Sequence, residues 1–270
     1  LQDPARIICR QGFLRRPDTC GPSLVKIALL SELHGNLEAL QACLRHACGQ
    51  GAGRFAFLGD LVGYGADPGA VLDIVRAHAS CGAVVVQGNH DAAILHADHT
   101  LSSDARTAID WTRARLAQPQ RDFLASLPLI VRQDAICFVH SSADAPARWT
   151  YVSDERMAER SLAAAGSTWC FSGHVHDQVL YYRGAGQGLM AFRPVPGAPI
   201  PVGAHRRWLA LVGSSGQPRD GNTAAAYAVF DIGRRELVFF RVPYDHACAA
   251  AKVRAAGLPE ALALTLERGE

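Results

Sequence analysis

From residue 25 onward the apolar positions alternate between short β-rich runs and stretches with helical spacing. Residues 25–30 are apolar apart from Lys26 and predict a buried strand. In 36–48, Leu37, Leu40, Ala42, Leu44 and Ala47 line one face of a predicted helix. Residues 54–58 and 83–87 read as further strands. Between them lies a helix over 68–78, opened by Pro68 and carrying Val71, Leu72, Ile74 and Val75 inside. Strand–helix units of about 30 residues predict parallel crossovers with helices on the sheet faces. The stretch 103–127 is helical in pattern, is broken at Gln118-Pro119-Gln120, and would cap one end of the sheet. Strands at 129–131 and 136–139, a helix at 154–165 and a strand at 168–171 follow. After His176 the pattern changes: 179–183, 189–192, 208–212, 225–231 and 236–242 are strands without intervening helices, which predicts a second, more antiparallel sheet. Residues 184–203 form a Gly/Pro-rich surface connection, and helices at 244–256 and 259–268 close the chain.

Composition narrows the class without choosing a function. At 270 residues, 49% hydrophobic and 19% charged, the chain can bury a large core. Lys plus Arg number 27 against 25 for Asp plus Glu, and this balance gives no electrostatic ground for a nucleic-acid partner. No apolar run approaches the roughly 18 residues of a membrane span, so no membrane partner is expected. Eight cysteines without a CxxC pair suit a reducing compartment, and a cytoplasmic location is expected. Residues 1–23 contain Arg6, Arg10, Arg15 and Arg16 with three prolines and no apolar signal core. They are expected to be a poorly ordered N-terminal extension, with 24–270 as a single domain.

The chemistry sits where strands end. The predicted strands run into Ser31-Glu32-Leu33-His34-Gly35-Asn36, then Gly59-Asp60-Leu61-Val62-Gly63-Tyr64-Gly65, then Gly88-Asn89-His90-Asp91, and later into His140-Ser141 and Gly173-His174-Val175-His176. Carboxyl ends of parallel strands share one edge, so these five segments should converge there. They bring two carboxylates (Glu32, Asp60), one carboxamide (Asn89) and five imidazoles (His34, His90, His140, His174, His176). A mixed nitrogen and oxygen set without thiolate suits Mn2+, Fe, Zn2+ or Ni2+. Seven or eight donors exceed the needs of one ion, whereas two ions sharing a carboxylate, about 3.5–4 Å apart, would use them. His46, His78, His96, His99, His205 and His246 do not follow strands in this way and are given no role.

Singly, each segment could be an ordinary turn or cap; together and in this order they resemble the five-part signature of the calcineurin-like metallophosphoesterases, in particular a small bacterial and archaeal phosphodiesterase-like branch. The run Gly213-Ser214-Ser215-Gly216-Gln217-Pro218-Arg219-Asp220-Gly221 is similar to that branch as well. The resemblance implies a four-layer α/β/β/α sandwich of two mixed sheets flanked by helices. It implies two divalent metal ions, Mn2+ first with Fe, Zn or Ni as alternatives. One ion would be held by Glu32, His34, Asp60 and His176, the other by Asp60, Asn89, His140 and His174, with Asp60 as the bridge. The expected reaction is hydrolysis of a phosphomonoester or phosphodiester, in a small molecule or nucleotide, by a metal-bound hydroxide. His90 would meet the phosphate and protonate the leaving oxygen, Asp91 would orient it, and Arg219 is a candidate phosphate contact. The sequence departs from the family pattern at Glu32, where Asp is usual, at Ser141 in place of Gly, and at Val175 in place of Thr. Glu32 leaves open the alternative of a catalytically impaired binding module. Substrate identity and oligomeric state are not legible.

Overall fold

The computed structural model describes residues 26–96, 100–184 and 188–270; the predicted extension at 1–23, and His99, lie outside them. The predicted β-α steps form in order. β1 (Lys26–Leu30) leads into α1 (Leu37–Gly49), β2 (Ala52–Phe57) into α2 (Pro68–Ser80), and β3 (Val84–Val85) into α3 (Asn89–Leu95). Then come α4 (Ser103–Arg113), α5 (Gln118–Ser126), β4 (Ile130–Gln133), β5 (Ile136–Val139), α6 (Glu155–Ala165) and β6 (Trp169–Ser172). β7 (Gln178–Arg183), β8 (Leu189–Phe192), β9 (Pro199–Pro201), β10 (Trp208–Val212), β11 (Ala225–Asp231) and β12 (Glu236–Val242) precede α7 (His246–Ala255) and α8 (Glu260–Arg268).

Two mixed sheets result, with orders β3-β2-β1-β11-β12-β9 and β4-β5-β6-β10-β7-β8. Alternation along each strand decides what lies on either side. Ile27 and Leu29 of β1 face Phe138 of β5 and Trp169 and Phe171 of β6 in the core between the sheets. Ala28 and Leu30 point the other way, to Leu40 and Leu44 of α1 and Leu72 of α2. On the far side Cys137, Val139 and Cys170 pack on Leu162 of α6. The layers are therefore helix, sheet, sheet, helix, as the resemblance implied.

Four sequence expectations are corrected. The five strand-end segments do not share one sheet's edge: β1, β2 and β3 are parallel neighbours in the first sheet, while β5 and β6 are parallel neighbours in the second. Nor do all late strands form the second sheet, because β11 returns antiparallel to β1 and carries β12 with it. Local patterning specifies a strand but not its long-range partner, which is why both were misassigned. The helical stretch 103–127 breaks before Gln118 rather than at 118–120, since Pro119 occupies the first turn of α5, where its missing N–H costs nothing. Finally, α3 was not foreseen: its first turn is Asn89-His90-Asp91, and Asp91 takes the Gly88 N–H at 2.9 Å as an N-terminal cap. β9 is a further addition inside the 184–203 connection, and its prolines are tolerated because it lies at a sheet edge.

Candidate metal centre

The two halves of the site meet where the turns after β1 and β2 interlock. The His34 N–H donates to the Asp60 carbonyl at 2.9 Å, and Gly35 N–H to the Leu61 carbonyl at 3.0 Å. The second sheet is tied in by the Gly216 N–H, which donates to the Glu32 carbonyl at 2.7 Å. Glu32, His34, Asp60, His174 and His176 all have left-handed backbone, with φ of 55°, 46°, 51°, 67° and 68°. Such a conformation is uncommon for residues with side chains and clusters where surrounding structure enforces it. Two glycines are required by close approach. A Cβ on Gly88 would overlap the Asp60 side chain, and one on Gly173 would overlap Ser31 and crowd the Glu32 carboxylate.

The side chains converge and are buried. Glu32 Oε2 lies 3.2 Å from His34 Nε2 and 3.1 Å from His176 Nε2. Asp60 Oδ2 lies 3.8 Å from His34 Nε2 and 3.6 Å from His140 Nε2. His140 Nε2 lies 3.1 Å from both Asn89 Oδ1 and His174 Nδ1. Donor atoms of Glu32, His34 and His176, of His34, Asp60 and His90, and of Asp60, His140 and His174 each fall within 4.8 Å of one another. All seven expected ligands and His90 thus reach one cluster, and Asp60 lies between its two sides.

Backbone carbonyls fix the rings. His140 Nδ1 pairs with the Leu58 carbonyl at 2.8 Å, His176 Nδ1 with that of Gln217 at 2.7 Å, and His34 Nδ1 with that of Val62 at 3.3 Å. Each carbonyl can only accept, so the proton belongs on Nδ1 and the Nε2 lone pair is turned toward the carboxylates. Asn89 and His174 lack this arrangement; the His174 Nε2 is buried without a hydrogen-bond partner, as is the His90 Nδ1.

Charge explains what the cluster wants. Burial pushes the His34 imidazole down to about 4 and the His174 imidazole to about 3, and holds His90 and His140 low as well, so these rings are neutral. Burial and the neighbouring Glu32 and Asp91 charges push the Asp60 carboxyl well up. Burial also works against ionising Glu32, but the His140, His176 and His34 imidazoles outweigh it and hold that carboxyl well below the usual range. Two buried acidic side chains with imidazole lone pairs turned toward them fit divalent cations, which need deprotonated ligands and would cancel the carboxylate charge.

One sequence expectation changes here. Asp91 does not orient His90: its Oδ1 accepts the Leu61 and Val62 N–H groups at 2.9 and 3.3 Å, and its Oδ2 accepts that of Gly88. It clamps the turns together instead. Glu32, despite its extra methylene, delivers one oxygen to His34 and His176 while the other accepts the His174 N–H at 2.6 Å. The milder departures are accommodated: Ser141 Oγ donates to the Pro146 carbonyl at 3.4 Å, and Val175 packs with the apolar residues beneath α6.

Three aromatic residues at the site escaped the sequence reading. Tyr64 packs on His34 and His90 with ring centroids 4.6 Å apart in each case. Tyr151 stacks on His174 at 3.9 Å, and Trp149 meets His140 edge-on at 5.9 Å. Tyr64 belongs to the segment that follows β2, four residues after Asp60. The available signal for the other two was a pair of aromatic residues in a short loop just beyond His140.

A sequence profile of the calcineurin-like phosphoesterase superfamily domain matches residues 25–235. An uncharacterized protein of Methanocaldococcus jannaschii is 31% identical over 240 residues, 87% of this chain and 94% of that one. The crystal structure of a metallophosphoesterase from Sphaerobacter thermophilus superposes with a TM-score of 0.82 at 33% identity, covering 92% of this chain and 100% of that chain. A hypothetical protein from Pyrococcus horikoshii OT3 shares the fold, with a TM-score of 0.74 at 18% identity over 91% and 99% of the two chains.

Proposed function

Because the chain belongs to the calcineurin-like phosphoesterase superfamily, we propose that it is a metal-dependent phosphoesterase that hydrolyses phosphomonoester or phosphodiester bonds at a dinuclear centre. The observation that carries this reading is the position of Asp60 Oδ2, which faces His34 on one side and His140 on the other. Glu32, His34, Asp60 and His176 would hold one ion, and Asp60, Asn89, His140 and His174 the second. Mn2+ is the first candidate by the family resemblance, with Fe, Zn or Ni as alternatives that oxygen and imidazole donors without thiolate suit as well. Divalent cations held there would supply Lewis acidity, offsetting charge on phosphoryl oxygens and acidifying water.

The chain's own residues do the rest. The carbonyls of Leu58, Val62 and Gln217 hold three rings in the ligating tautomer. His90 reaches the same cluster, packed against Tyr64 and His34. Burial keeps it neutral in the free protein; a phosphate dianion beside it would raise its pKa and load the proton that it passes to the leaving oxygen. Asp91, by clamping the turns that carry Asp60 and His90, sets their separation. The reach of Glu32 to both His34 and His176 favours a working site over an impaired binding module. Residues 24–270 would serve as one domain, since both sheets contribute donors. The free thiols of Cys43, Cys48, Cys81, Cys137, Cys170 and Cys248 support a cytoplasmic setting. No described helix is long and apolar enough to cross a membrane.

The test is hydrolysis of a generic aryl phosphate monoester and diester by purified protein loaded with Mn2+. Turnover that disappears with chelator and returns with metal supports the reading. Absence of turnover across metals and esters rejects it.

A further inference from the structure

The donor cluster is buried, so the organic part of any ester bound there must leave past the residues at its mouth. Two residues next to the cluster's side chains are Tyr151, stacked on His174, and Arg219, over the Tyr64 ring. Tyr151 is 54% exposed, unusual for a large aromatic side chain in this protein. It is nevertheless held: its ring lies almost parallel to the His174 imidazole, at 3.9 Å and 21°. The loop that carries it is pinned by the Ser142 N–H, which donates to the Thr150 carbonyl at 3.3 Å. One face of the phenol therefore rests on a predicted metal ligand while much of the side chain remains open to solvent.

Arg219 lies on the Tyr64 side of the site, and Tyr64 packs on His34 and His90. Its Nη2 donates to Gln217 Oε1 at 3.0 Å, and its guanidinium lies 5.4 Å from the centre of the Tyr64 ring. The Gln217 amide and the Tyr64 side chain, both uncharged, thus hold it without cancelling its positive charge, which suits it to meet an oxyanion.

We propose that this mouth selects phosphoesters whose organic part is aromatic, an aryl ester or a nucleotide, with Tyr151 as the stacking platform and Arg219 as a phosphoryl contact. The inference rests on the phosphoesterase reading above and adds a substrate class to it. An alkyl chain gains little on a flat ring, whereas a base or aryl group gains a full stacking contact. A Tyr151 that only braced His174 would affect every ligand equally.

The experiment compares phenylphosphonate with methylphosphonate, which differ in the ring and have a carbon–phosphorus bond that the proposed reaction does not cleave. Binding to the Mn2+-loaded full chain is followed by calorimetry. The wild-type protein should bind phenylphosphonate about tenfold more tightly. Tyr151→Ala should bring the two affinities within about twofold of each other, and Tyr151→Phe should keep the preference. Arg219→Gln should weaken both ligands by about tenfold. Equal affinities in the wild type, no binding of either ligand, or a preference that survives Tyr151→Ala would overturn the inference. Chelator-sensitive hydrolysis of simple esters would stand in any of those cases, so the two failures are distinguishable.

Discussion

Glu32 Oε1 accepts the backbone N–H of His174 at 2.6 Å, across 142 residues of chain and from one sheet to the other. The same carboxylate offers its second oxygen to His34 and His176. The longer side chain thus joins the two halves of the centre mechanically as well as offering a ligand. Glu32→Asp, one methylene shorter, cannot keep both sets of contacts from the same backbone position. Metal titration should show affinity lower by about tenfold to a hundredfold, with turnover falling in parallel. A gain in both would mean that the native site is the impaired one.

Asp60 sits between two clusters of donors and beside two other acidic groups, so its roles in function and stability oppose each other. Asp60→Asn should lower turnover by about a hundredfold or more. In the metal-free state the same change removes a carboxyl whose ionisation burial and the Glu32 and Asp91 charges oppose. The unfolding midpoint of the metal-free variant at neutral pH should therefore lie above that of the metal-free wild type. A lower midpoint would show that the carboxylate is held by contacts that the cluster geometry does not reveal.

His90 shares the 4.8 Å neighbourhood of His34 and Asp60, so a ligand and a proton donor must be separated by experiment. His90→Ala should cut turnover by about 10²–10⁴-fold while leaving the metal content of the purified, reconstituted protein unchanged. Loss of an ion would assign His90 to the coordination sphere.

His78 provides a pH-dependent term far from this chemistry. It is buried against Phe55 and Phe57, and burial pushes its imidazole from 6.5 to about 4. The folded value lies below the unfolded one, so the stability is present above pH 6.5 and is lost as pH falls toward 4. The loss between pH 7 and pH 5 should be about 2 kcal/mol. Urea unfolding of the wild type and of His78→Leu at both values isolates it: the variant should lose about that much less. Equal losses would assign the acid sensitivity elsewhere.

Much of this was legible from the chain, for reasons that particular residues make plain. The alternation of Ile27, Ala28, Leu29 and Leu30 specifies a strand buried on both faces, and the structure buries it so. The five donor segments stand at strand ends because turns are where side chains can leave the core and converge. What remained hidden depended on long-range pairing. β11 returning beside β1, and β5 with β6 in a separate sheet, are set by how whole surfaces pack, which no local window encodes. Asn36 shows the ambiguity at one residue: its Oδ1 caps α1 through the Ala39 N–H at 3.1 Å, while its amide donates to the Gly216 carbonyl at 2.8 Å. Asp91 was misassigned because neighbours in sequence were expected to pair, whereas backbone N–H groups of the preceding turn compete for the same oxygens. Tyr64 and Tyr151 carried no periodic signal, and their one cue was their place in or just after a donor segment.

The central claim is that one carboxylate joins two cation sites. It is tested most directly by counting ions. Reconstituted with Mn2+ and freed of unbound metal, the wild-type chain should retain two ions and Asp60→Asn fewer than one. A wild-type chain that saturates at a single ion, or an Asp60→Asn variant that still holds two, would contradict it.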